Sequence, residues 1–186
     1  MNFVEVVNRT RTPVDEEAVA RLVATILEAE QIAGAEVAVE FVGEGRIRAL
    51  NRDHRGLDAA TDVLSFPLED WPDRTVGAGS PDGTGPAGAG RTAGPGAAGE
   101  EAAGEEAAAE DGPPWLLGDI VICPRVAVRE ARREDLPPAL ELAVLLAHGT
   151  LHLLGYDHEI DAGIMALRQA EVLELVDWEG LLVAAR

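Results

Sequence analysis

Three of the four histidines in this 186-residue chain fall within eleven residues, as His148, His152 and His158. Their spacing is H-x-x-x-H-x-x-G-x-x-H. On a helix, His148 and His152 stand four residues apart and project from one face. Gly155 permits the backbone turn that ends a helix, so the chain can reverse there and bring His158 back towards the other two. Three neutral imidazoles meeting at one point suit a divalent transition metal, with zinc as first choice. Three protein ligands leave a fourth position open to water, which marks a catalytic site rather than a structural one.

The metzincin peptidases share this histidine and glycine spacing, as H-E-x-x-H-x-x-G-x-x-H. Their glutamate takes the proton from water at the metal during peptide hydrolysis. Gly149 occupies that position here, so the metal-binding half of the motif is present and the peptidase half is missing. A lone histidine on an apolar face is usually a core residue, and a pair at i, i+4 can be coincidence. Three at this spacing, in a chain whose only other histidine is His54, point to a metal site. Leu145, Leu146, Leu151 and Leu154 have the plainer task of seating the helix in the core.

A second concentration of polar residues runs from Leu50 to Pro67 and brings Arg52, Arg55, Asp58, Thr61, Asp62 and Ser65 near one strand end. Arg55, beside Gly56, is the residue suited to a substrate phosphate, because its forked donors match phosphate oxygens. The competing reading makes Asp58, Thr61 and Asp62 turn and capping residues, with Arg55 paired to one of them. His54 reads as a solvent-facing histidine rather than a fourth ligand.

The elements that must position these residues follow from periodicity. Residues 2–7 alternate and read as a strand. A helix begins at Pro13 or Asp15 and buries Val19, Leu22, Val23, Ile26 and Leu27. Residues 35–42 alternate with one wet face (Glu36, Ala38, Glu40), which reads as an edge strand. A short helix follows, with Ile47 and Leu50 inward and Arg46, Arg48 and Arg52 outward. A third strand spans 62–68. A fourth spans 116–123 and is apolar enough to be central. Pro124–Arg133 is a short helix, and Pro137-Pro138 opens the long helix that carries His148 and His152. Ile164, Leu167, Ala170, Val172, Leu173 and Val176 outline a last amphipathic helix. The expected fold class is α+β: a small mixed sheet of about four strands packed by about five helices, with the zinc site at the end of a long core helix.

Composition sets the limits. The length suits one domain, 1–186, with a proper core. Residues 72–114 are dominated by Gly, Ala, Pro, Glu, Ser and Thr, and read as a disordered insertion that cannot bury enough surface to order itself. No apolar run is long enough for a membrane span, and the N-terminus has no basic region of the secretory kind. The lone Cys123 excludes a disulfide framework and reads as a buried thiol in a reducing cytosol. All fifteen basic residues are arginine and the net charge is −19. Residues 69–111 carry −8 of that, leaving −11 for the remainder. Such a chain is no sequence-blind nucleic-acid coat, although a nuclease with a small local basic cleft stays allowed.

Taken together, these pieces resemble the YbeY family, the endoribonucleases and rRNA maturation factors of bacteria. The family pattern H-G-x-L-H-L-x-G-Y-D-H is matched by residues 148–158, including Gly149, Leu151, Leu153, Tyr156 and Asp157. A second pattern, L-N-x-x-Y-R-x-x-D-x-P-T-D-V-L-S-F-P, is matched at Leu50, Asn51, Arg55, Asp58 and Thr61 through Pro67. It departs at His54, where the family has tyrosine, and at Ala60, where it has proline. The run Gly118 through Cys123 resembles the family's G-D-I-x-I strand. The likeness covers nearly the whole chain outside 72–114, a segment longer than the family needs.

The resemblance implies a single-strand-specific metallo-endoribonuclease in the cytoplasm, acting in 16S rRNA 3′-end maturation and ribosome quality control. One zinc ion would sit on His148, His152 and His158, and catalysis would rest on Arg55 and His148. The expected partners are single-stranded rRNA and the ribosome or small-subunit proteins, without DNA or membrane. The general base stays open. Asp157 is either that base or a group orienting a ligand histidine, and Tyr156 either donates to substrate or caps the turn. Water and the ribose 2′-hydroxyl are both open as nucleophile. Two other readings stand beside this one: a metallopeptidase with its base supplied from elsewhere, and a non-catalytic ribosome assembly factor with a structural metal.

Overall fold

The computed structural model describes residues 1–68 and 115–182; the insertion expected at 72–114 lies outside the described residues. Four strands form one sheet: β1 (Phe3–Asn8), β2 (Ala35–Phe41), β3 (Val63–Pro67) and β4 (Trp115–Ile122). Their order is β1-β2-β4-β3, with β3 antiparallel to β4 and the other pairs parallel. Five α-helices accompany them: α1 (Glu16–Ala29), α2 (Glu44–Arg55), α3 (Pro124–Arg133), α4 (Pro138–Leu153) and α5 (Ile164–Leu173). The fold is the α+β arrangement expected, with β4 central between β2 and β3.

Local chemistry explains the boundaries. Asp15 caps α1 by accepting the Ala18 N–H at 2.9 Å. Pro124 and Pro138 stand in the first turns of α3 and α4, where a missing N–H costs nothing. Val37, Val39 and Phe41 of β2 point into the main core, against Leu22, Ile26 and Leu27 of α1 and Leu142 and Leu146 of α4. Leu145, Leu146, Leu151 and Leu154 are all buried, as the apolar stripe required. On the other face of the sheet, Ile47 of α2 packs with Leu64 and Val121 in a smaller cluster that includes the buried Cys123. Burial pushes the Cys123 thiol above its ordinary value.

Two expectations are corrected. β2 is not an edge strand, since it lies between β1 and β4. Its alternation is real, but Glu36, Ala38 and Glu40 are only half-buried because no helix covers that stretch of the second face. Wetness on one face and exposure of a strand edge are separate properties. The last helix is present and its C-terminal stripe is as expected, with Val172 and Val176 buried and Leu173 packed on the core, but its first turns are rotated. Ile164, Leu167 and Ala170 face solvent, while Met165 and Val172 are buried. Polar contacts of Arg168 and Gln169 fix that rotation, as described next.

Candidate metal centre

α4 ends in a Schellman turn that aims the histidines. The Gly155 N–H donates to the His152 carbonyl at 3.0 Å, and the Tyr156 N–H donates to the Leu151 carbonyl at 3.1 Å. Gly155 takes φ +93, the left-handed conformation that favours glycine. The chain then folds back and returns His158 to the helix face that carries His148 and His152. The ring centroids lie 4.5, 5.3 and 5.2 Å apart.

The donor atoms converge. One ring nitrogen from each histidine lies within 4.8 Å of the others. The Nε2 atoms of His148 and His152 are 3.0 Å apart. Two nitrogens each about 2.0 Å from one tetrahedral ion would sit about 3.3 Å apart, so the pair has the spacing of a shared ion. Each Nδ1 meets an acceptor on the far side of its ring. His148 Nδ1 faces Gln169 Oε1 of α5 at 3.2 Å, and His152 Nδ1 faces the Tyr156 carbonyl at 3.0 Å. These acceptors place the ring proton on Nδ1 and turn each Nε2 lone pair inward, the arrangement of metal-bound histidine. Burial pushes both rings below the ordinary imidazole value. Neighbouring imidazoles push the same way, and so does Arg55 on His152, while Gln169 and the Tyr156 carbonyl push back. Neutral imidazole is the form that binds metal. The donor set therefore fits a divalent ion of zinc's type. His54 stands apart, exposed, with its ring edge-on to Phe66 at 4.8 Å.

Gly149 has a steric role. A Cβ there would lie 2.9 Å from Cγ2 of the fully buried Ile120 on β4. The helix face one residue past His148 is pressed against the sheet and turned from the imidazoles. A side chain at 149 would have to displace Ile120.

The second cluster reaches the same site. Asp62 and Arg55 both act electrostatically on the histidine rings. Asp58 makes a two-pronged ion pair with Arg48 at 2.7 Å, and Asp62 accepts from Thr61 and from the Val63 N–H. The turn-and-cap reading fits Thr61 and Asp62, whereas Asp58 serves in an ion pair. It fails for Arg55, which is exposed and makes no ion pair among the described residues. The Asp157 carboxylate accepts the Glu159 N–H at 3.0 Å. The Tyr156 hydroxyl donates to Glu30 Oε2 at 2.8 Å, a bond to the end of α1 that neither donation to substrate nor capping of the turn anticipates, while its backbone N–H takes part in the turn.

Three residues escaped the sequence analysis. Gln169 orients His148, and Glu30 and Arg168 hold α5 where Gln169 can reach. Arg168 donates to Glu30, to Glu171 and to the Ala29 carbonyl, tying α5 to the end of α1. The Glu30 side chain is only 6% exposed, so this pair is largely shielded from solvent. A sequence offers no local sign of contacts 126 to 139 residues apart.

An α+β sheet with three converging imidazoles at the end of its core helix defines a protein with a candidate metal centre. Comparison with known proteins gives the class a family. Residues 5–177 match the family described as Endoribonuclease YbeY, and the chain belongs to it. Curated relatives named "Endoribonuclease YbeY" include one from Anaeromyxobacter sp. that is 43% identical over 82% of this chain and 59% of that protein. Another, from Moorella thermoacetica, is 39% identical over 87% of this chain and 88% of its own. A third, from Chloroflexus aurantiacus, is 36% identical over 87% of each. The solution structure of TM1509 from Thermotoga maritima shares the fold, with a TM-score of 0.54 at 24% identity over 92% of this chain and 87% of that one.

Proposed function

We propose that this chain is a zinc-dependent endoribonuclease that cuts single-stranded RNA, with 16S rRNA 3′-end maturation and ribosome quality control as its setting. The carrying observation is the convergence of the His148, His152 and His158 ring nitrogens, with Arg55 close enough to act on His152. The relatives' name supports the reaction class. The ribosome or small-subunit proteins would be partners and the cytoplasm the compartment. Among the described residues no single helix is long and apolar enough to cross a membrane. The domain would be single, interrupted by the insertion at about 72–114.

His148, His152 and His158 would hold the ion, which when bound supplies Lewis-acid polarisation of a phosphoryl oxygen or of water. Arg55 holds the non-bridging phosphate oxygens and stabilises the charge that develops on them. Gln169 and the Tyr156 carbonyl keep the Nδ1 protons in place, so that His148 and His152 present lone pairs throughout. A peptidase reading would still need its base from elsewhere, since residue 149 faces Ile120.

The test is cleavage of a labelled single-stranded RNA carrying the 16S 3′ region, by protein of measured zinc content. The expected result is cutting by the wild type, lost in His148→Ala together with zinc and lost in Arg55→Ala with zinc retained. The product ends separate 2′-hydroxyl attack, which leaves a cyclic phosphate, from attack by water. Zinc-loaded wild type that leaves the RNA intact would sink the enzymatic reading in favour of a non-catalytic assembly factor.

A further inference from the structure

We propose that an arginine-lined groove on α3 docks the sugar–phosphate backbone of single-stranded RNA, and that the strand runs from it along α2 to the histidines. The inference rests on the endoribonuclease reading above.

Charge is distributed unevenly. In a chain of net charge −19, eight of the fifteen arginines lie on α2 and α3, among three acids. Arg125, Arg129, Arg132 and Arg133 line an open groove of about 610 Å³, with Thr12, Pro13, Pro124 and Val128 completing its wall. Glu44, at the start of α2, reaches Arg125 at 3.5 Å and Arg129 at 3.9 Å, and Glu130 takes Arg133 at 2.7 Å. Arg132 makes no ion pair among the described residues. Four guanidinium groups against two carboxylates leave the groove positive. Exposed pairs of this kind contribute little and exchange readily for a phosphate.

α2 joins the groove to the metal centre. Glu44 lies at the groove and Arg55 acts on His152 at the other end. Eleven steps of about 1.5 Å put roughly 17 Å between them along the helix. A strand stacked at about 3.4 Å per nucleotide covers that in roughly five nucleotides. Arg48, Arg52 and Arg55 stand at i, i+4 and i+7, on one exposed face of α2 between the two ends. The uncovered part of the sheet has the opposite character, with Glu5, Glu36, Glu40 and Asp119 across three adjacent strands. This acidic stretch lies on the same sheet face as α2, beyond the part that α2 covers, and its field repels a polyanion, which keeps RNA on the helix surface and off the open strands. An acidic protein is the competing occupant. The groove offers it no aromatic or large aliphatic anchor of the kind that carries protein interfaces.

The experiment compares full-length zinc-loaded wild type with Arg129→Ala/Arg132→Ala, and with Arg9→Ala/Arg21→Ala as a control of equal charge. Melting curves check that all three fold. Substrates are a strand of about twenty nucleotides and one of about three, too short to span roughly 17 Å. The groove variant should show KM raised about tenfold on the long strand at constant kcat, and unchanged cutting of the short one. Its long-strand binding should have a log–log salt slope shallower by about 1.4, at about 0.7 per lost phosphate contact. The control should match wild type. Long-strand binding and cutting at wild-type level in the groove variant would overturn the proposal. So would an equal loss in the control, or loss of polyglutamate binding with RNA binding intact. If wild type cuts neither strand, the endoribonuclease reading fails, and fluorescence anisotropy of the labelled long strand decides the groove alone: weaker binding with a shallower slope in the groove variant upholds it, and unchanged binding overturns it.

Discussion

Gln169→Ala tests the metal centre through a residue that never touches the metal. The Gln169 carbonyl oxygen accepts from His148 Nδ1 at 3.2 Å, near the long end of the hydrogen-bond range. Its loss frees the imidazole to rotate and to shift its proton to Nε2. A partner of this kind is worth about 10- to 100-fold in metal affinity. The length of this bond and its neutral acceptor argue for the lower half, about 1.4–2 kcal/mol, or 10- to 30-fold. Gln169 is only half-buried on α5, so the metal-free fold should lose no more than about 0.5 kcal/mol. Zinc affinity is measured by competition with a chelator of known strength, and metal-free stability by urea unfolding. Gln169→Glu supplies a charged acceptor and should restore or exceed wild-type affinity. Wild-type zinc affinity in Gln169→Ala would refute the claim that α5 orients His148.

Three further outcomes follow from the same geometry. Gly118 has φ +140, and a Cβ there would lie 2.2 Å from the Phe66 carbonyl oxygen. Gly118→Ala should therefore cost about 2–5 kcal/mol by strain and overpacking, read as a fall in the urea midpoint; a shift under about 0.5 kcal/mol would contradict the close approach. Tyr156 is pushed up to about 12, by burial first and then by its bond to Glu30. The raised value means that stability is intact below the ordinary tyrosine pKa and drains away between about pH 10 and 12. Tyr156 is the chain's only tyrosine, so phenolate absorbance reports it directly, and Tyr156→Phe should remove this component of alkaline unfolding. Glu30→Gln breaks a largely buried pair with Arg168 and loosens α5, so zinc affinity should fall along with stability; affinity at wild-type level would separate α5 from the metal site.

The candidate metal ligands were legible because they are local. Two histidines share a helix face, and Gly155 announces the turn that returns the third. The strands and core helices were legible for a related reason, since Val37, Val39 and Phe41, or Leu22 and Ile26, repeat at the period of their element. The position of β4 was legible from its apolar run, but that of β2 was not, because the open face beside Glu36 and Glu40 depends on which helices pack where. The facing of the first turns of α5 was not legible either, for the same reason. Apolar spacing favoured Ile164 and Leu167, while bonds from Arg168 to Glu30 and from Gln169 to His148 turned the helix elsewhere. Arg55 needed the fold to separate it from Asp58, which pairs with Arg48 instead.

The shortness of the ligand run has a consequence for folding. His148, His152 and His158 span eleven residues, whereas the groups that orient them come from Gln169 and, through Tyr156 and Arg168, from Glu30. Unfolding scatters the orienting groups but leaves the three imidazoles tethered close together. If zinc is the ion, as proposed, the denatured chain would keep a loose affinity for it, and the native state would gain only the difference between the two. An ion at a hundred times its dissociation constant would stabilise a protein by about 2.7 kcal/mol if the unfolded chain ignored it. On that reading the gain would fall short of that figure, and the same tether would let an emerging chain hold the ion before α5 has docked.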